Sequence, residues 1–207
     1  MRKLLLPVLF GLTLLAGCSS EPAKPAVEQK AEPKAAELVT GRTAMQKLYV
    51  AAHGWARDAQ PFRLESQITT DGNGHGGKSA IWRASFASPA QRGVKPYFWS
   101  GSASPDAPSR GITPGNEDNY NPSNASTQVF DIAFLKTDSD KGFDVAQQHG
   151  GEKLLDKTPD QPVIYLLDWN RAENRLEWHV AYGTSRDTAK LTVTINASTG
   201  EFVRVEK

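Results

Sequence analysis

Leu176-Glu177-Trp178-His179-Val180-Ala181-Tyr182, followed by Leu191-Thr192-Val193-Thr194-Ile195, decides how this chain folds. In the first run Leu176, Trp178, Val180 and Tyr182 fall on every second position, the period of a strand with one buried face. The second run alternates in the same way. Upstream, Val163 to Asp168 is an apolar strand, and Asn170-Arg171-Ala172-Glu173-Asn174 supplies turn residues. Downstream, Asn196-Ala197-Ser198-Thr199-Gly200 turns the chain into a last strand, Glu201 to Val205. The pattern predicts an antiparallel meander.

The same unit occurs earlier. At an offset of 96, Thr43 falls on Ser139, His53-Gly54 on His149-Gly150, Trp82 on Trp178 and Phe86 on Tyr182. Thr43 and Ser139 are helix N-cap types, and Thr43-Ala44-Met45-Gln46 reads as a capping box. His-Gly at the far end places a cation and a C′ glycine where a helix stops. Each unit is therefore a helix followed by strands. In the first these are Phe62 to Thr69, Ala80 to Ala87 and Val94 to Trp99, with Trp82 and Trp178 as core residues. An extra strand is expected over Val129 to Leu135, with Phe130, Ile132 and Phe134 on one face. Residues 102–126, rich in Pro, Ser, Asn and Gly, read as a long loop between a first unit at 41–101 and a second at 127–207.

The run from Leu176 through Ile195 to Asn196-Ala197-Ser198-Thr199-Gly200-Glu201-Phe202-Val203 resembles the end of a PepSY domain, with Asn196 where an Asp is usual. The resemblance covers Ser139 to Val205, and the first unit shares it through the repeat. It implies an α+β fold of two tandem helix-plus-antiparallel-sheet units. It also implies a binding module associated with inhibiting peptidases or regulating envelope activity, with no catalytic residues to carry over.

The start of the chain gives an address. Arg2 and Lys3 precede a short apolar run, and Leu15-Ala16-Gly17-Cys18 resembles the lipobox of bacterial lipoproteins. Residues 1–17 read as the signal peptide and Cys18 as the lipid attachment site. The run is shorter than the roughly 20 residues needed to span a bilayer. Acyl chains contribute about 0.8 kcal/mol per buried methylene, so more than one is needed for stable anchoring. In that family, Ser19 after the cysteine implies outer-membrane sorting, facing the periplasm, in a cell with two membranes. Residues 18–40 alternate Ala, Pro, Glu and Lys and read as an extended tether, with a marginal helical fragment around Lys30 to Leu38.

Cys18 is the sole cysteine, so acylation leaves no thiol for a disulfide or a nucleophile. Without residues 1–17 the formal net charge falls from +1 to −1, which gives no electrostatic reason to bind nucleic acid. Gly72-Asn73-Gly74-His75-Gly76-Gly77-Lys78-Ser79 satisfies the pattern of a phosphate-binding loop, and Val163 to Asp168 mimics its magnesium strand. The chemistry needs a helix directly after Ser79, whereas Ala80 to Phe86 reads as a strand, so a flexible hairpin is expected. Asp71, Asn73, His75 and Gly76 start like a calcium loop, but position 12 is Trp82 where a bidentate Glu is required. His53, His75, His149 and His179 form no metal-ligand pair, and Ser100-Gly101-Ser102 lacks nucleophile-elbow spacing. No cofactor, metal or catalytic residue is assigned. Trp55, Trp99 and Trp169, near element ends, are the expected contact surface.

These readings predict a non-enzymatic, membrane-anchored protein binder whose partner is an envelope protein. A small-ligand or cell-wall binder is the alternative. A nucleotide enzyme acting through Gly72 to Ser79 is the remote one.

Overall fold

Alternation of apolar and polar residues builds an antiparallel sheet whose inner face is almost wholly hydrophobic. The structure, a computed structural model, describes residues 35–105 and 107–206. In chain order the strands are β1 (Val39–Thr40), β2 (Gln60–Gln67), β3 (Lys78–Ser79), β4 (Ile81–Ser88), β5 (Gly93–Ser100), β6 (Gly111–Pro114), β7 (Asp118–Asn119), β8 (Val163–Asn170), β9 (Arg175–Tyr182), β10 (Thr192–Asn196) and β11 (Phe202–Glu206). Nine form one sheet in the order β11-β10-β9-β8-β2-β4-β5-β6, with β7 also on β5; β1 and β3 make a separate two-stranded ribbon. Helices α1 (Gly41–Trp55), α2 (Ser139–Ala146) and α3 (Glu152–Lys157) complete the fold. Helix α1 buries Ala44, Met45, Leu48 and Ala52, the spacing of one helical stripe. The result is mostly sheet with helices, an α+β architecture.

The two halves of the sheet meet strand to strand. Leu64 of β2 lies opposite Leu167 of β8, flanked by Arg63 opposite Asp168 and Glu65 opposite Leu166. Trp82 and Trp178, both fully buried, stand edge to face at 6.4 Å. Their indole N–H groups donate to Val39 O and Thr137 O, each just before the start of a helix. Residues from both halves share one core. From helix start to paired strand the second half is about five residues longer (Asp138 to Leu167 against Thr40 to Leu64), and from that strand to the tryptophan about seven shorter (Leu167 to Trp178 against Leu64 to Trp82).

The helix ends depart from expectation. Helix α1 starts at Gly41, and Thr43 does not cap it. Asp138 caps both helices instead: Oδ1 accepts from the N–H groups of Arg42 and Ser139, and Oδ2 from the Thr40 hydroxyl. Ser139 Oγ accepts from Gly41 N. His53-Gly54 lies inside α1, which continues to Trp55. Gly150 does take a positive φ of 112°, in a wide turn between α2 and α3.

Val129 to Leu135 is not a strand. Asp131 accepts from Ala133 N and bends the chain into a 3-10 turn over Ile132–Phe134, leaving Phe130 buried and Phe134 exposed. The long loop is partly ordered as β6 and β7 on the edge of β5. Tether residues 35–38 are not helical; Glu37 N donates to Gly101 O, and Val39–Thr40 pairs with Lys78–Ser79. Cys18 and the signal and tether sequence through residue 34 lie outside the described residues.

Candidate functional site

The helices cover one face of the sheet; the opposite face carries the charged side chains. Strand register lines up Thr194, His179, Leu166 and Glu65 across β10, β9, β8 and β2, with Arg83 and Phe98 continuing the row on β4 and β5. Alternation produces this arrangement. In β9 the residues that are not Leu176, Trp178, Val180 or Tyr182 must point the other way, and they are Arg175, Glu177, His179 and Ala181.

His179 is buried between two carboxylates, Nδ1 at 2.7 Å from Glu206 Oε1 and Nε2 at 3.2 Å from Asp168 Oδ1. Burial alone would lower its pKa, but the hydrogen bonds to Asp168 and Glu206 and the charge of Asp168 outweigh that and Arg186, and hold it above the ordinary 6.5. Burial likewise works against ionisation of Glu206; the His179 contact, the Thr194 hydroxyl and Arg186 overcome it and bring the carboxyl down to about 2. Asp168 is lowered against its own burial by His179 and by the charge of Arg63. Glu177, 1% exposed, is kept ionised despite burial by Arg175, Arg204 and Asn170. With both imidazole nitrogens engaged, His179 has no free nitrogen for proton transfer. The cluster is an ionic clasp joining β8, β9 and β11.

Beside the clasp the open face holds a groove of about 610 Å³, lined by Phe62, Arg83, Ser85, Pro96, Phe98 and the 115–118 segment. Two local features shape it. Pro96 has no N–H to give a neighbouring strand, and the chain bulges past it between β6 and β7, with Gly115 N donating to Pro96 O. A register shift between Pro61 and Arg63 inserts Phe62 as an extra residue in β2. The bulge puts Phe62 in the groove and Arg63 next to it, opposite Ser85.

The tryptophans named from sequence divide. Trp99 is 4% exposed and belongs to the core, because it lies on the helix-covered face of β5 opposite Trp82. Trp55 is half-buried, its indole donating to Glu117 Oε2, and Trp169 is half-buried, edge to face with Phe134 at 5.2 Å. The three do not form one surface. The glycine-rich loop is followed by strand β3, so it lacks the helix a phosphate loop requires. It clasps the second half instead: Tyr165 accepts from Gly77 N and donates to Gly74 O, and His75 Nε2 meets Gln161 O at 2.8 Å. Asp71, the first residue of the calcium-like pattern, pairs with the Ser102 hydroxyl and Ala103 N. The histidines occupy separate settings, His53 on Tyr49 and His149 stacked on Phe202. The clasp and the groove are absent from the motif reading. Glu177 and His179 between core residues of one strand were its visible signal; the partners on β8 and β11 were not visible.

No family model matches the chain, and no curated protein matches it. Among solved structures, the crystal structure of a candidate lipoprotein from Clostridium difficile 630 is similar, with a TM-score of 0.54 at 9% identity. The match covers 79% of this chain and 91% of that one, and at this identity it shows a shared fold.

Proposed function

We propose that this chain is a lipid-anchored envelope protein whose folded part is a non-enzymatic binding module. Its two repeats are PepSY-like units, and the open sheet face engages an envelope protein, inhibiting or regulating an enzyme such as a peptidase. The observation carrying the reading is one-sided coverage: the helices cover one face and leave the other with a half-apolar groove beside a rigid charged clasp. Specific interfaces combine an apolar centre with a polar rim in this way. The lipobox-like residues ending in Cys18 supply the anchor, and Ser19 the outer-membrane address in a cell with two membranes. The fold shared with the candidate lipoprotein agrees with that setting.

Affinity capture with the full chain from a detergent extract of the host envelope tests the reading. A stoichiometric protein, lost when the open face is altered, is expected; a reproducible blank contradicts it. The groove volume favours a second reading, a small-ligand or cell-wall binder, and a blank capture with saturable glycan or small-molecule binding would establish that instead. Cys18→Ala abolishes lipid labelling on this account, and labelling that survives removes the anchor.

A further inference from the structure

We infer that the bulge in β2 builds a receptor for an acidic side chain of an extended peptide, with an adjacent apolar side chain seated in the groove. The inference rests on the binding-module reading and names the chemistry of its partner. Arg63 Nε is buried and has no hydrogen-bond partner among the described residues. Among the described residues the one ion pair of Arg63 is with Asp168, at 3.8 Å, beyond hydrogen-bond length, and the side chain as a whole is 37% exposed, so the terminal N–H groups are open to a ligand. A buried, unsatisfied donor on a guanidinium is rare in a folded protein and calls for an acceptor. Arg83 is different: its charge is already paired, donating to Glu65 at 2.7 Å, and its guanidinium lies over the Phe98 ring.

The surroundings define the acceptor. Ser85 faces Arg63 across the strand pair, lines the groove, and makes no side-chain hydrogen bond among the described residues. A planar guanidinium and a hydroxyl side by side match the two oxygens of a carboxylate. Asp168 is already committed to His179, which leaves Arg63 as the cation with capacity to spare. The floor around them is apolar, with Phe62 beside Arg63 on β2 and Pro96 and Phe98 on β5 across Ser85, and takes the side chain next to the acid. The bulge is what sets these chemistries next to each other, since a regular strand would send Phe62 and Arg63 to opposite faces.

Fluorescence anisotropy of the full chain in detergent, with labelled Gly-Phe-Glu-Val-Gly and its Gln counterpart, tests the site. The Glu peptide should bind saturably and the Gln peptide at least about tenfold more weakly, the loss of one charged hydrogen bond. Arg63→Gln should remove that preference, Ser85→Ala should reduce it, and Arg171→Gln in the exposed β8–β9 turn should leave it intact. Circular dichroism confirms that each variant is folded; if Arg63→Gln fails to fold, Arg63→Met replaces it, keeping the aliphatic stem but losing the charge and the fork. Equal affinity for both peptides, or a preference that survives loss of the Arg63 fork, overturns the inference. Undetectable binding of both peptides overturns it as well. Should envelope capture yield a partner that Arg63→Gln still holds, the binding module stands and this site falls.

Discussion

Two side chains carry more of this architecture than their neighbours. Asp138 caps α1 and α2 at once, so Asp138→Ala should cost about 2 kcal/mol, the upper range for one cap, in urea unfolding. His179 is tested by pH. Its folded pKa lies above 6.5, so its stabilisation is full below 6.5 and is lost as pH rises through the folded value. For Glu206 and Asp168, whose folded pKa values are lowered, the contribution is present above 4.5 and 3.8 and is lost as pH falls through the folded values. The clasp is therefore complete between those limits. NMR titration should place His179 above 6.5, and Glu206→Gln should lower it while destabilising the fold by about 2 kcal/mol. A titration at or below 6.5 would contradict the clasp. Neither residue's role was legible in the sequence, because each depends on partners brought together by the fold: Arg42 to Asp138 spans 96 residues and His179 to Glu206 spans 27.

Loops supply cross-links between the two halves of the sheet. A Cβ on Gly77 would lie 2.3 Å from the Asp140 backbone, at a φ of +75°. Gly77→Ala should therefore cost about 3 kcal/mol or more, or prevent folding. Lys78 is exposed, so Lys78→Ala should move stability by less than about 0.5 kcal/mol, and ATP should show no saturable binding to either protein. Tight, saturable ATP binding lost in Lys78→Ala would revive the phosphate loop. Sequence context did exclude a helix after Ser79, since alternation through Ala80 to Phe86 is a local signal. Val129 to Leu135 failed for the opposite reason. Its alternation is genuine, but Asp131 bonds its own backbone and competes with strand pairing.

At the scale of the molecule, β2 and β8 join the two halves of one sheet. Leu167→Ala, at the fully buried junction, should cost about 3 kcal/mol and shift a single calorimetric transition. Two separated transitions would mean that the repeats unfold independently. The mix of helices and antiparallel strands was legible because periodicity is local. The pairing of β2 with β8 was not, because both strands carry apolar inner faces that fit many neighbours. It is this pairing that extends the charged face across both halves.

That face is the heart of the account. Photo-crosslinking in the native envelope tests it most directly, with benzoylphenylalanine replacing Thr113, beside Phe98 on the open face, or Val50, 74% exposed on α1. The account predicts a discrete protein adduct from position 113 and none from position 50. An adduct from position 50 alone, or from neither, would contradict the open sheet face as the binding surface.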